Sequence, residues 1–152
     1  MRIHIGSDHA GFRLKEHVRE HLVDLGHDVV DVGTFDEESV DYPDFAIGVA
    51  RGVAAGVAER GILVCGSGLG MAIAANKVRG VRAIQATDAE MARVSRLHND
   101  SNVLTLAGRY TEPASALEIA DVFLKTEFEG GRHQRRVEKV GAIESSSDTD
   151  EE

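Results

Sequence analysis

Residues 61–77 read GILVCGSGLGMAIAANK. The first five form a short, mostly apolar run that stops at Cys65, the only cysteine in the chain. A turn holding Gly66, Gly68 and Gly70 follows at once, and then a small-residue pattern suited to a helix. A brief apolar run bounded by glycine and followed by such a pattern reads as a buried strand turning sharply into a helix. That is the first half of a βαβ unit, which commits its strands to a parallel sheet.

The same alternation extends in both directions. Upstream, RIHIG (2–6) reads as a strand and GFRLKEHVREHLVDLG (11–26) as a helix. In that helix Phe12, Leu14, Val18, Leu22 and Leu25 recur near 3.6-residue spacing, and Gly26 is the stop. DVVDVG (28–33) is a second strand, and a polar loop leads to Pro43, which opens a helix through about Val57. Downstream, VRAIQA (81–86) is a fourth strand, and Asp88 caps a helix reaching His98. NVLTLAG (102–108) is a fifth, with helices expected over Pro113–Lys125 and from near Arg132 to Ile143. Five βα units predict a three-layer αβα sandwich around a five-stranded, parallel, Rossmann-like sheet. Residues 1–143 are read as one domain.

The bulk numbers exclude several classes. A chain of 152 residues suits one core, and no apolar run approaches the ~20 residues of a membrane span. The N-terminus MRIHIGSD lacks a signal-peptide apolar segment, and one cysteine makes no intrachain disulfide, so a cytoplasmic location is expected. The net charge is −9, of which the last nine residues, ESSSDTDEE, supply five acids and no base, leaving −4 for the rest. That tail, 144–152, buries no apolar surface and is expected to be disordered. An acidic domain argues against nucleic-acid binding, which leaves the basic run RHQRR (132–136) in need of a local reason.

In doubly covered parallel sheets, ligands sit beyond the carboxyl ends of the strands. There the glycine turn after Cys65 offers converging backbone N–H groups to an anion, although a tight βα turn needs small residues in any case. A dinucleotide fingerprint would require a third glycine where Met71 stands, despite Asp88 at a suitable distance, and no Gly-Lys-Ser/Thr completes a phosphate-binding P-loop. Free cysteine is usually a buried structural residue. At a strand end facing a helix N-terminus, Cys65 is expected to carry thiolate character and to serve as nucleophile or proton acceptor. A base beside an anion cradle suits proton abstraction next to a carbonyl.

Other candidates are spread along the chain. His98 is either a helix C-terminal cap or an acid–base group. Asp8 and His9 follow the first strand, as a cap and a loop residue or as ligand contacts. Arg109, Arg132 and Arg136 are solvated surface or, if they converge, a phosphate clamp. The remaining histidines show no metal-ligand spacing; His17 and His21, four apart, read as a solvated helix face.

GSDHAGFRLK, DVGT with DYPDFA, ILVCGSGLGMAIAANK, LHNDSNVLTLAGR and EGGRHQRRVEKV occur in that order. Together they closely resemble the type B ribose-5-phosphate isomerases, the family that also holds allose- and galactose-6-phosphate isomerases. The likeness covers residues 1 to about 143. It implies a metal-independent, cofactor-free aldose–ketose isomerisation through a cis-enediolate, in the pentose phosphate pathway. By position, Cys65 would move the proton between C2 and C1, Ser67 would assist, and His98 would open the furanose ring. The amides of Gly66, Ser67, Gly68, Leu69 and Gly70 would hold the enediolate oxygen, and Asp8 and Tyr42 would contact the sugar. His9, Arg109, Arg132 and Arg136 would bind phosphate, and Asn99 would contact hydroxyls or the anion. One branch of the family uses a glutamate six positions after the cysteine's place; Met71 there marks this chain as cysteine-dependent. The resemblance also implies a homodimer, or a tetramer of paired dimers, with sites shared between subunits. A six-carbon substrate and a non-catalytic sugar-phosphate-binding protein are the alternatives; the latter leaves Cys65 and His98 without a task.

Overall fold

The computed structural model describes residues 1–146; residues 147–152, most of the acidic tail, lie outside the described residues. Strands and helices alternate as β1 (Arg2–Ser7), α1 (Phe12–Asp24), β2 (Asp28–Asp31), α2 (Tyr42–Ala54), β3 (Arg60–Cys65) and α3 (Leu69–Ala75). They continue as β4 (Ala83–Gln85), α4 (Ala89–Asn99), β5 (Val103–Ala107), α5 (Pro113–Lys125) and α6 (Arg132–Ser146). All strands pair in parallel, in the order β2-β1-β3-β5-β4. The expected αβα sandwich is therefore present.

Alternation along the strands sorts the core into two layers. Ile62 and Val64 of β3 face Leu14, Val18 and Leu22 of α1 and Ile119, Ala120 and Phe123 of α5. Leu63 and Cys65 point the other way, among Ala46, Val49 and Val53 of α2 and Met71 and Ala75 of α3. Strands buried on both faces need apolar residues at consecutive positions, which is why β3 reads as an apolar run from Ile62 to Cys65 and β5 as one interrupted only by Thr105.

Several boundaries differ from the sequence expectation. β4 keeps three of six expected residues, because side-chain amides bond its start from both sides, Asn102 from the β5 side and Asn76 at the free edge. Asn102 Oδ1 accepts from Arg82 N at 2.8 Å, and Asn76 exchanges two hydrogen bonds with Ala83 N and O at 2.7 and 2.8 Å. Such edge blocking stops further strand pairing. α2 ends at Ala54, before Gly56 in the left-handed region, and α3 at Ala75. α6 runs three residues past Ile143, so the tail does not begin at 144. The Glu144 carboxylate holds that end by accepting from Gly80 N at 3.0 Å. Leu25 lies just past the end of α1 and is exposed, whereas Lys15 within it is fully buried: Nζ donates to both oxygens of Asp31 at 2.9 and 2.7 Å and to Thr34 O at 2.6 Å.

Candidate active site

The central strands end level with one another: Ser7 stands beside Val64, and Cys65 beside Ala107. Their exit loops are tied together by backbone bonds, Asp8 N to Val64 O at 3.2 Å, Gly108 N to Cys65 O at 2.7 Å and Arg109 N to Gly66 O at 3.0 Å. A pocket of about 330 Å³ opens above them. Asp8, His9, Tyr42, Cys65, Gly66, Ser67, Gly70 and Arg109 all line it, joined by Ala10 and Tyr110. It lies between β1 and β3, where the strand order reverses and open α/β sheets leave a crevice.

Each side chain is held by local chemistry. Cys65 is the last residue of β3; its sulfur is 3.2 Å from the N–H of Gly68, which donates to it. The side chain is buried against α2 and α3 yet reaches the pocket wall. Gly68 can aim that N–H because it adopts φ +76°, a conformation disfavoured for residues with a Cβ. Thr105 Oγ1 donates to Gly68 O at 2.8 Å and Gln85 Nε2 to Ser67 O at 2.9 Å, so the loop is fixed from below. Leu69 N donates to Ser67 Oγ, while the Leu69 side chain points to solvent. The amides of Gly66, Ser67 and Gly70 have no acceptor among the described residues. Gly70 leaves room for Tyr42, whose ring carbons would stand 2.6–2.7 Å from an added Cβ.

Opposite the loop, Asp8 Oδ1 accepts from Gly11 N at 2.9 Å, so the capping role expected as one reading of Asp8 is real, and it coexists with a place in the pocket. His9 Nδ1 accepts from Val40 N at 3.1 Å, which puts the neutral ring's proton on Nε2 and makes that atom a donor. Arg109 lies with its guanidinium over Gly66, where an added Cβ would come within 3.2 Å of Nη1. No carboxylate pairs with Arg109 among the described residues. An anion is the natural partner for this set of donors.

The rest of the expected site is elsewhere. His98, Asn99 and Arg136 line a second, larger cavity of about 790 Å³ between α6, the end of α4 and β4. Arg132, at the start of α6, is exposed and lines neither cavity. There the His98 ring stacks on His133, with centroids 4.2 Å apart and planes 13° from parallel. Glu129 Oε2 lies 4.0 Å from His98 Nε2 and 3.8 Å from His133 Nε2. Burial first, then the charges of His98, Arg132 and Arg136, pushes the His133 imidazole below its usual pKa. His98, Glu129 and His133 bring three possible ligand atoms within 4.8 Å of one another, a grouping the sequence spacing did not reveal. A metal ion must lie in the plane of each imidazole that binds it, and two rings stacked face to face cannot share one without unstacking. The cluster suits proton exchange better than metal binding. No described helix is long and apolar enough to cross a membrane.

A glycine loop with unpaired amides and a thiol at the switch point of a parallel sheet suit an α/β enzyme acting on a small anionic substrate. The chain belongs to the ribose/galactose isomerase family, whose model matches residues 3–140. It is 47% identical to ribose-5-phosphate isomerase B of Escherichia coli over 143 residues, spanning 94% of this chain and 96% of that protein. Among solved structures, the ribose-5-phosphate isomerase B of Clostridium thermocellum superposes with a TM-score of 0.95 at 52% identity, covering 97% of this chain and 99% of that one. The enzyme from Mycoplasma genitalium, solved with bound ribulose 5-phosphate, gives 0.91 at 43% identity, over 95% of this chain and 96% of that one.

Proposed function

We propose that this protein interconverts ribose 5-phosphate and ribulose 5-phosphate through an enediolate, with Cys65 as the acid–base group. The observation that carries the reading is a sulfur facing a pocket that also holds unpaired amides, Arg109 and a donor nitrogen of His9. The relatives' names favour the five-carbon sugar over the six-carbon alternatives.

In this mechanism His9 and Arg109 take the phosphate of the sugar. Once the ring is open, the Cys65 thiolate removes the proton from C2, and the electrons move onto the C1 oxygen as an enediolate. The N–H groups of Gly66, Ser67 and Gly70 hold that negative charge, while Gly68 N–H steadies the sulfur. Ser67 relays a proton between the two oxygens. The thiol then returns its proton to C1, and the carbonyl forms at C2. Charge is held by fixed dipoles and guanidinium, so no metal is required.

His98, Asn99 and Arg136 cannot serve this pocket from where they stand, because they open onto a separate cavity. We infer a homodimer in which these residues and Arg132 of one copy complete the Cys65 pocket of the other. His98 then works at the ring oxygen beside Asp8 and Tyr42. Uncovered apolar side chains flank both halves, Leu69 and Ile73 on α3 and Val140 and Ile143 on α6. A cytoplasmic location goes with this reading.

The test compares kcat/KM for ribose 5-phosphate, allose 6-phosphate and galactose 6-phosphate with a chelator present. Preference for the five-carbon sugar, undiminished by chelator, is the expected result. Preference for a hexose phosphate, or activity only with added metal, would overturn it.

A further inference from the structure

The strongest unassigned grouping is the one around His98. Glu129 belongs to the loop between α5 and α6, and that loop is bound to the last turn of α4. Thr126 O accepts from Arg96 Nε at 3.0 Å, and Glu129 N donates to Leu97 O at 3.2 Å. Gly130 and Gly131 follow in the left-handed region, at φ +68° and +55°. They turn the chain so that α6 starts with His133 packed flat against His98, His133 N donating to Gly130 O at 3.0 Å. His133 is 6% exposed, and its Nε2 is buried with no hydrogen-bond partner among the described residues.

We propose that Glu129 and His133 are positioning residues for His98: the stacked ring fixes the plane of the imidazole, and the carboxylate fixes the direction of its Nε2. This rests on the reading of His98 as the group that opens the sugar ring. At 4.0 and 3.8 Å, Glu129 lies within ion-pair reach of both rings but outside hydrogen-bond distance. The carboxylate therefore closes on whichever ring carries the extra proton. Burial, then the neighbouring cations, lower the His133 pKa, which disfavours the extra proton on that ring. With Nε2 directed at Glu129, the proton exchanged with the ring oxygen is the one on His98 Nδ1, given up as the ring opens and taken back as it closes. The pair touches neither substrate carbon, so its effect is confined to ring opening and closing.

Ribulose 5-phosphate separates ring opening from proton transfer, because with its 5-hydroxyl esterified it cannot close a furanose ring. Its C1 hydrogen is exchanged whenever the enediolate forms and returns, with no help from His98. Glu129→Gln keeps the side chain's shape and removes its charge. The expected result is a fall in kcat for ribose 5-phosphate of roughly tenfold or more, with KM little changed. Deuterium wash-in at C1 of ribulose 5-phosphate should stay within about twofold of wild type, and Glu129→Asp should recover part of kcat. His133→Leu, which keeps an apolar filler but loses the stacked ring, should show the same split. Equal loss of turnover and exchange, or no loss of turnover, would overturn the proposal. A wild type that exchanges no deuterium would instead sink the enediolate reading, and this inference with it.

Discussion

Replacing Lys15 by methionine removes a charge from the interior while keeping the length of the side chain. Nζ makes three short contacts, two to Asp31 and one to Thr34 O, and sits 5.3 and 5.2 Å from the ring centroids of Phe12 and Phe35. Breaking a buried ion pair costs about 3–5 kcal/mol, mostly because the remaining charge is stranded. Here Asp31 keeps one hydrogen bond from Gly33 N at 2.9 Å and retains 16% of its side-chain exposure. The lower end, about 3 kcal/mol, is therefore expected. For a chain of this size that corresponds to a fall in Tm of roughly 6–12 °C. Asp31→Leu should be worse, because it strands an ammonium that is fully buried. The double replacement should be less destabilised than the two single effects added together. Thermal unfolding followed by circular dichroism on the four proteins reads all of this. Strict additivity, or a Lys15→Met Tm within about 2 °C of wild type, would refute the reasoning. The same clamp anchors the start of the 34–41 loop, whose Val40 N orients His9. KM for the sugar phosphate should accordingly rise in Lys15→Met.

Cys65→Ala should abolish turnover while sugar-phosphate binding, measured by calorimetry, survives; turnover equal to wild type would remove the cysteine from the mechanism. Gly70→Ala pushes a methyl group into the Tyr42 ring and should raise KM roughly tenfold with little loss of Tm, and an unchanged KM would show that Tyr42 moves away freely. His4 is buried with Nδ1 unpartnered, and burial, then Arg2, holds its pKa below the ordinary 6.5. Its neutral form is favoured in the fold, so that stability is complete above about 6.5 and is lost as pH falls below it; a urea midpoint that stays constant from pH 7.5 to 5.5 would contradict this. Mixing inactive Cys65→Ala with inactive His98→Asn should restore about one quarter of wild-type activity, because half the random dimers are hybrids with one intact site of two. No recovery after subunit exchange would mean that sites are not shared.

The sheet was legible because its signals are local. The apolar run of β3, the largely apolar run of β5, the glycine turn after Cys65 and the stop at Gly26 each act within a few residues. The failures involve partners distant in sequence. Nothing in LKEH marks Lys15 as buried, because its counter-charge lies sixteen positions away on β2. The VRAIQA pattern is that of a longer strand, and only Asn76 and Asn102, from other elements, show why β4 is cut short. His9, Cys65 and Arg109 come together as expected because each follows a central strand. His98 and Arg136 do not join them, because α4 and α6 place them on a different cavity, and a sequence motif says nothing of where in the fold its members stand. Glu129 and His133 gave no signal: their meaning depends on the loop that folds back over α4.

The division of the site gives α6 a reason for its composition. Of this helix only His133 is buried, and contacts hold it at both ends, His133 on His98 and Glu144 on Gly80. Between them Val137 lines the larger cavity, while Val140 and Ile143 are 53% and 66% exposed. With about half to two thirds of each side chain in water, covering them would contribute roughly 1–2 kcal/mol each. The same helix carries Arg132 and Arg136, which form no ion pair among the described residues although Glu144 shares the cavity with Arg136. On the other half of the site, Leu69 and Ile73 stand exposed beside a loop whose amides await negative charge. In the homodimer proposed above, one association would cover both apolar patches and bring these cations to the Cys65 pocket. On that reading dimer formation and completion of the site are coupled, and the isolated chain, with α6 already held by His98 and Gly80, is expected to be folded but to carry only half of each site.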